Sequence, residues 1–131
     1  MANEKETQKI ESAIVIQNHS EVDSDSFKKL CENLNKVRNM KGILGYIIRN
    51  GVSASIDLEK PEKLVEYAIF TSQVMESCKE LSDLFNLGNL KTIFIEGNSI
   101  KVLNVIIEEN KINVFMDKKV NHKKIMQKLS L

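Results

Sequence analysis

Apolar residues recur along this chain in two periods, and each period marks out its own elements. After "DSDS" (Asp23 to Ser26), which offers several helix N-caps, Phe27, Leu30, Cys31, Leu34 and Val37 follow the helical spacing. They predict a helix with one buried face that ends near Gly42. Next, "GILGYIIRNGVSASIDLE" reads as two strands joined by Asn50-Gly51, the pair that suits a type I′ turn. Ile43 to Ile48 is apolar on both faces, so the first strand is predicted inside a sheet covered twice. Val52 to Leu58 alternates, which predicts Ser53, Ser55 and Asp57 toward water.

The longest helical pattern is Lys60 to Phe85, with Pro61 suited to the first position and Gly88 able to end it. Three strands follow, Leu90 to Glu96, Ser99 to Ile107 and Lys111 to Met116, joined by Gly97-Asn98 and by Glu108 to Asn110. A short helix, "NHKKIMQKL", is capped by Asn121 and turns Ile125, Met126 and Leu129 inward. Leu103, Val105 and Ile107 oppose Ile100, Val102 and Ile106 on the two sides of one strand, and only helices are left to cover both. The predicted fold is α+β, in the order α-β-β-α-β-β-β-α. It is a three-layer α/β/α sandwich whose five-stranded antiparallel sheet carries the long helix on one face and the two terminal helices on the other. Residues 1–22 form an extension, polar and mobile over 1–9. Within it "SAIVIQ" (Ser12 to Gln17) favours a strand, although a helical turn fits as well. Residues 23–131 form a single domain.

On a wheel the long helix has more apolar surface than one sheet uses. Tyr67, Phe70, Val74, Cys78, Leu81 and Phe85 form one stripe, predicted to face the sheet. Beside it run Leu64, Ala68, Thr71, Met75 and Ser82, which widen the apolar or small arc to roughly 160°, beyond the roughly 100° of one packing face. Val65 and Ile69 interrupt the charged face of Glu62, Glu66, Glu76 and Glu80. Met75 and Leu64 either wrap the sheet edge or belong to a second buried surface shared with another chain, and the width of the arc favours the second. The strand "KTIFIE" adds Ile93 and Ile95 on one side and Phe94 on the other, with no charge, proline or bulge in its middle to blunt an edge. Pairing with the same strand of a twin removes that hazard. The expected dimer interface is therefore Leu64, Ala68, Thr71, Met75, Ile93, Phe94 and Ile95, and Val65 and Ile69 are the expected partner-binding residues.

The element order, the entry "KGILGYIIRNG", the strand "LGNLKTIFIEG" and the lysine-rich last helix together resemble the Roadblock (dynein light chain type) family over about Phe27 to Leu129. The resemblance implies a dimer with a continuous sheet, built through the third strand and the long helix. It also implies a non-catalytic role in binding and regulating small Ras-like GTPases or in assembling larger complexes. One branch of the family has an extra C-terminal helix, and this chain looks like a minimal form without it.

Composition narrows the alternatives. Nineteen Lys and Arg against 18 Asp and Glu leave no overall field toward nucleic acid or membrane. Lys118, Lys119, Lys123, Lys124 and Lys128 concentrate positive charge, yet no aromatic residues for base stacking stand among them, so no nucleic-acid partner is expected. Cys31 and Cys78 sit on apolar helical positions as reduced core residues. His19 and His122 stand apart from the cysteines, so no metal is expected. No phosphate-cradling glycine loop, nucleophile elbow or catalytic triad is present, and neither an enzyme nor a cofactor is expected. Without an apolar run of membrane-spanning length or a secretion signal, the chain is expected to be soluble and cytoplasmic, with no membrane insertion. The alternative reading is a profilin-like or PAS-like sensory domain closing round a small ligand.

Overall fold

The structure, a computed structural model, describes residues 24–51 and 53–129. The expected N-terminal extension and its "SAIVIQ" strand lie outside them. In chain order the elements are α1 (Ser24–Arg38), β1 (Ile43–Arg49), β2 (Ala54–Leu58), a 3₁₀ turn (Pro61–Lys63) running into α2 (Leu64–Leu84), β3 (Thr92–Glu96), β4 (Ile100–Ile107), β5 (Asn110–Asp117) and α3 (His122–Leu129). The five strands form one antiparallel sheet in the order β2-β1-β5-β4-β3, which is the predicted α+β sandwich.

The two faces of the sheet are covered unequally. Under α1 and α3 lies the larger core: Leu34 and Val37 from α1 and Ile125 from α3 close over Ile48, Leu103, Ile112, Val114 and Met116, all fully buried. Among the described residues the buried apolar set under α2 is the smaller one of Ile47, Leu58, Val102 and Phe115, on which Leu64 and Tyr67 pack. The Tyr67 ring stacks on Phe115 with centroids 4.2 Å apart. Beside that stack a polar pair is buried: Asn113 Nδ2 donates to Asn104 Oδ1 at 2.6 Å, and Asn104 Nδ2 donates to the Ile93 carbonyl.

Local chemistry corrects three expectations. The hairpin forms, but the Asn50 N–H donates to the Ser53 carbonyl and the Ser53 N–H to Asn50 Oδ1, each at 2.9 Å. Asn50 therefore belongs to the closing pair, and the turn tip begins at Gly51. Ser55 and Asp57 do not face water. Both lie under α1, where Arg38 donates to Asp57 Oδ1 at 3.3 Å and Ser55 is buried, because α1 extends over β1 and β2. The end of α2 is set by Asn86 rather than Gly88: Asn86 takes φ 58°, and the Leu87 N–H reaches back to the Ser82 carbonyl at 2.9 Å, a Schellman closure. Glycine is required at Gly45, where β1 bulges. Its φ is 147°, and a Cβ there would stand 2.5 Å from the Asp57 carbonyl oxygen.

Candidate interaction surface

The strand β3 hydrogen-bonds only to β4, so among the described residues its outer edge is unpaired. Its side chains alternate as a strand requires. Ile93 and Ile95 point to the α2 face and are half-buried, while Phe94 points to the other face and stacks on the His122 ring of α3, centroids 3.8 Å apart. Phe94 is thus occupied within its own subunit.

Across the α2 face the helix sits in a different phase from the predicted one. Thr71 (1% exposed), Met75 (7%) and Ser82 are the buried residues of α2 and face this chain's own sheet, and Leu64 and half-buried Ala68 share that side. Phe70, Leu81 and Phe85, expected against the sheet, are exposed. The physical reason is the buried asparagine pair. Met75 lies over it, its sulfur 3.8 Å from Asn113 Nδ2, and a helix contacting amides packs with small and polar side chains rather than with Phe and Leu. Thr71 satisfies its own hydroxyl inside the helix, donating to the Tyr67 carbonyl at 2.9 Å. Leu64, Thr71 and Met75 therefore support α2 from beneath. A surplus of exposed apolar surface does exist on α2, with Val65 67% and Ile69 55% exposed, but it lies on the flanks.

One of those flanks borders a groove of about 830 Å³ that sequence reading missed. Ser72, Glu76, Lys79 and Asp83 form its α2 wall, Leu90 and Lys91 the wall leading into β3, and Met75 and Ile106 much of its apolar lining. At about 100° per residue, Val65 falls on the same flank as Ser72 and Asp83, and Ile69 just beyond Glu76. Phe70 and Leu81 occupy the opposite flank. Arg49 Nη2 donates to Ser72 Oγ at 3.3 Å across the groove's end. The signal for the asparagine pair was available: the Glu108-Glu109 turn pairs Ile107 with Asn110, and counting back along that register puts Asn104 opposite Asn113.

On the opposite face of the sheet, in α1, burial pushes the Cys31 thiol up to about 11, the Ser55 hydrogen bond only partly offsetting it, so that sulfur stays protonated at neutral pH. Among the described residues no group of three His, Cys, Asp or Glu could hold a metal ion, and no helix is long and apolar enough to cross a membrane. What the arrangement offers is an open strand edge, a half-covered sheet face and a long helix beside them.

No protein-family model and no curated protein sequence matches the chain. Among solved structures it is similar to the Roadblock/LC7 domain from Streptomyces avermitilis, with a TM-score of 0.63 and 10% identity over 76% of this chain and 87% of that one. It is similar as well to the gliding protein MglB from Thermus thermophilus, with a TM-score of 0.63 and 13% identity over 78% of this chain and 81% of that one. With identities this low the likeness speaks for backbone architecture, and it agrees with the strand order and layer arrangement described above. The chain has the Roadblock/LC7 fold.

Proposed function

We propose that this chain is a non-catalytic, cytoplasmic homodimeric scaffold or regulator that binds a small Ras-like GTPase or assembles a larger complex. The observation that carries the reading is the edge of β3, unpaired among the described residues, with half-covered Ile93 and Ile95 beside a groove whose far wall is α2. Antiparallel pairing of β3 with the same strand of a twin joins two five-stranded sheets into one of ten and lays the twin's long helix along the groove. The twofold axis of such a pairing is perpendicular to the sheet, so both α2 helices share one face. An interface of the standard size, about 1,200 to 2,000 Å², hides Ile93 and Ile95, while Leu64, Ala68, Thr71 and Met75 hold α2 in place. Val65 and Ile69 are the contact groups assigned to the GTPase, a partner class that comes from the resemblance to the Roadblock family.

Two measurements test the reading. Ile95→Lys puts a charge at the centre of the proposed strand pairing, and light scattering should then report monomers; a dimer unchanged by it places the interface elsewhere. Ile69→Asp should retain the dimer and lose captured GTPase, and full retention removes Val65 and Ile69 from the partner site. The groove also gives the sensory-domain reading a specific location. A ligand held there at 100 times its dissociation constant would add about 2.7 kcal/mol of stability, visible as a melting shift on adding metabolite extract. Its charged rim and openness favour a protein neighbour over an enclosed small molecule.

A further inference from the structure

The whole chain has a near balance of 19 Lys and Arg against 18 Asp and Glu, and among the described residues the two signs are separated in space. Lys118, Lys119, Lys123, Lys124 and Lys128 are all exposed on α3 and the turn leading into it. The neighbouring turn adds exposed Lys41: the Asp117 N–H donates to the Gly42 carbonyl at 2.8 Å, and the Gly42 backbone packs against Val120, which sets Lys41 beside Lys118 and Lys119. None of these six makes an ion pair among the described residues. The nearest acid along the chain, Asp117, is half-buried and accepts the Lys119 backbone N–H at 2.8 Å. The α1 helix continues the layer with Lys28, Lys29 and Lys36 against Asp25 and Glu32. On the opposite face the sign reverses: α2 exposes Glu66, Glu76, Glu80 and Asp83 against Lys79.

We propose that the α1–α3 layer is a docking face for an anionic lipid surface, to which it adsorbs without inserting. Three observations favour lipid over nucleic acid. The charges are lysine point charges spread over a helix and two adjacent turns, whereas the only arginine of the layer, Arg38, is held by Asp57 and the Ile43 carbonyl, so no guanidinium fork is free to read a base or phosphate. Among the described residues of this layer no ring is free to stack on a base: His122 is already stacked on Phe94, and Phe27 packs on the core. Among the described residues every exposed large apolar side chain lies in α2 or the turn after it, so the described part of this layer offers lysines rather than apolar groups to a bilayer and its attraction is Coulombic. In the dimer proposed above, on which this extension rests, the axis perpendicular to the sheet brings six lysines from each subunit onto one side. The long helices then point away from the membrane, toward a protein partner.

Vesicle flotation with the full chain tests this. Phosphatidylcholine vesicles containing roughly 30% phosphatidylserine should carry the protein at about 50 mM salt and release it at about 300 mM, where the screening length is short. Pure phosphatidylcholine vesicles should not carry it. The triple variant Lys123→Gln, Lys124→Gln, Lys128→Gln should partition on the order of a hundredfold less, at about fivefold per lysine, and Lys79→Gln on the acidic face should match the parent. Absence of binding to the anionic vesicles, binding indifferent to the triple variant, or tighter binding to duplex DNA than to vesicles would each overturn the assignment. Light scattering on the same samples separates the two readings: a monomer that still floats with the vesicles keeps the basic face and removes the dimer.

Discussion

The phase of α2 on the sheet can be tested by comparing two truncations on the same helix. Met75 is 7% exposed and roofs the Asn104–Asn113 pair, whereas Leu81 is 54% exposed on the flank away from the groove. Met75→Ala removes about three methylene equivalents at about 0.8 kcal/mol each, and the space left above the asparagines brings the loss to about 3 kcal/mol. Leu81→Ala removes as many heavy atoms, but about half of that surface is already in water and no cavity forms, so the loss is about 1 kcal/mol. For a chain of this size about 3 °C accompanies each kcal/mol, which predicts melting points lower by about 9 °C and about 3 °C. Thermal unfolding followed by far-ultraviolet circular dichroism reads both, and repeating it at two protein concentrations separates subunit dissociation from folding. A loss at Leu81 equal to or greater than that at Met75 would mean that the stripe of Phe70, Leu81 and Phe85 faces the sheet after all.

Gly45→Ala should destabilise the fold by about 2 kcal/mol in urea titration, because φ there is 147° and the added carbon meets the Asp57 carbonyl and Leu58 backbone of β2; an unchanged midpoint would show that the bulge relaxes. Alkaline pH should weaken the fold. Burial raises the Cys31 thiol from 9.0 to about 11, and burial followed by the Asp57 charge raises the Tyr46 hydroxyl from 10.0 to about 12. Between those values the unfolded chain has released protons that the folded chain still holds, so stability is intact below about pH 9 and falls as pH climbs toward 12. Urea midpoints across that window check the sign, and a midpoint that rises with pH contradicts it.

Much of the architecture was legible in the residues because it depends on local periodicity. The helical spacing of Phe27, Leu30, Leu34 and Val37, the two-sided apolar strands β1 and β4, and the Asn121 cap of α3, whose Oδ1 accepts the Lys123 N–H at 3.0 Å, all lie where the pattern places them. The polar faces were harder. Ser55 and Asp57 read as solvent-facing because alternation reports that a strand has two different sides, while only the placement of α1, with Arg38 over Asp57, decides whether the polar side is covered.

The candidate surface divides in the same way. The surplus of apolar residues on α2 and the unprotected character of "TIFIE" are properties of the chain itself, visible without coordinates. Which stripe meets the sheet is not, because a wheel gives relative angles and no zero. That zero was set by the Asn104–Asn113 pair, which draws Thr71 and Met75 inward and leaves Phe70 and Leu81 outside. The groove and the basic layer likewise bring together residues far apart in sequence, Ser72 with Lys91 and Lys41 with Lys118. The sequence alone determined the elements and their apolar content, since helix and strand periods are short-range. The tertiary structure decided phase, edge and charge separation, since each depends on which elements pack against one another.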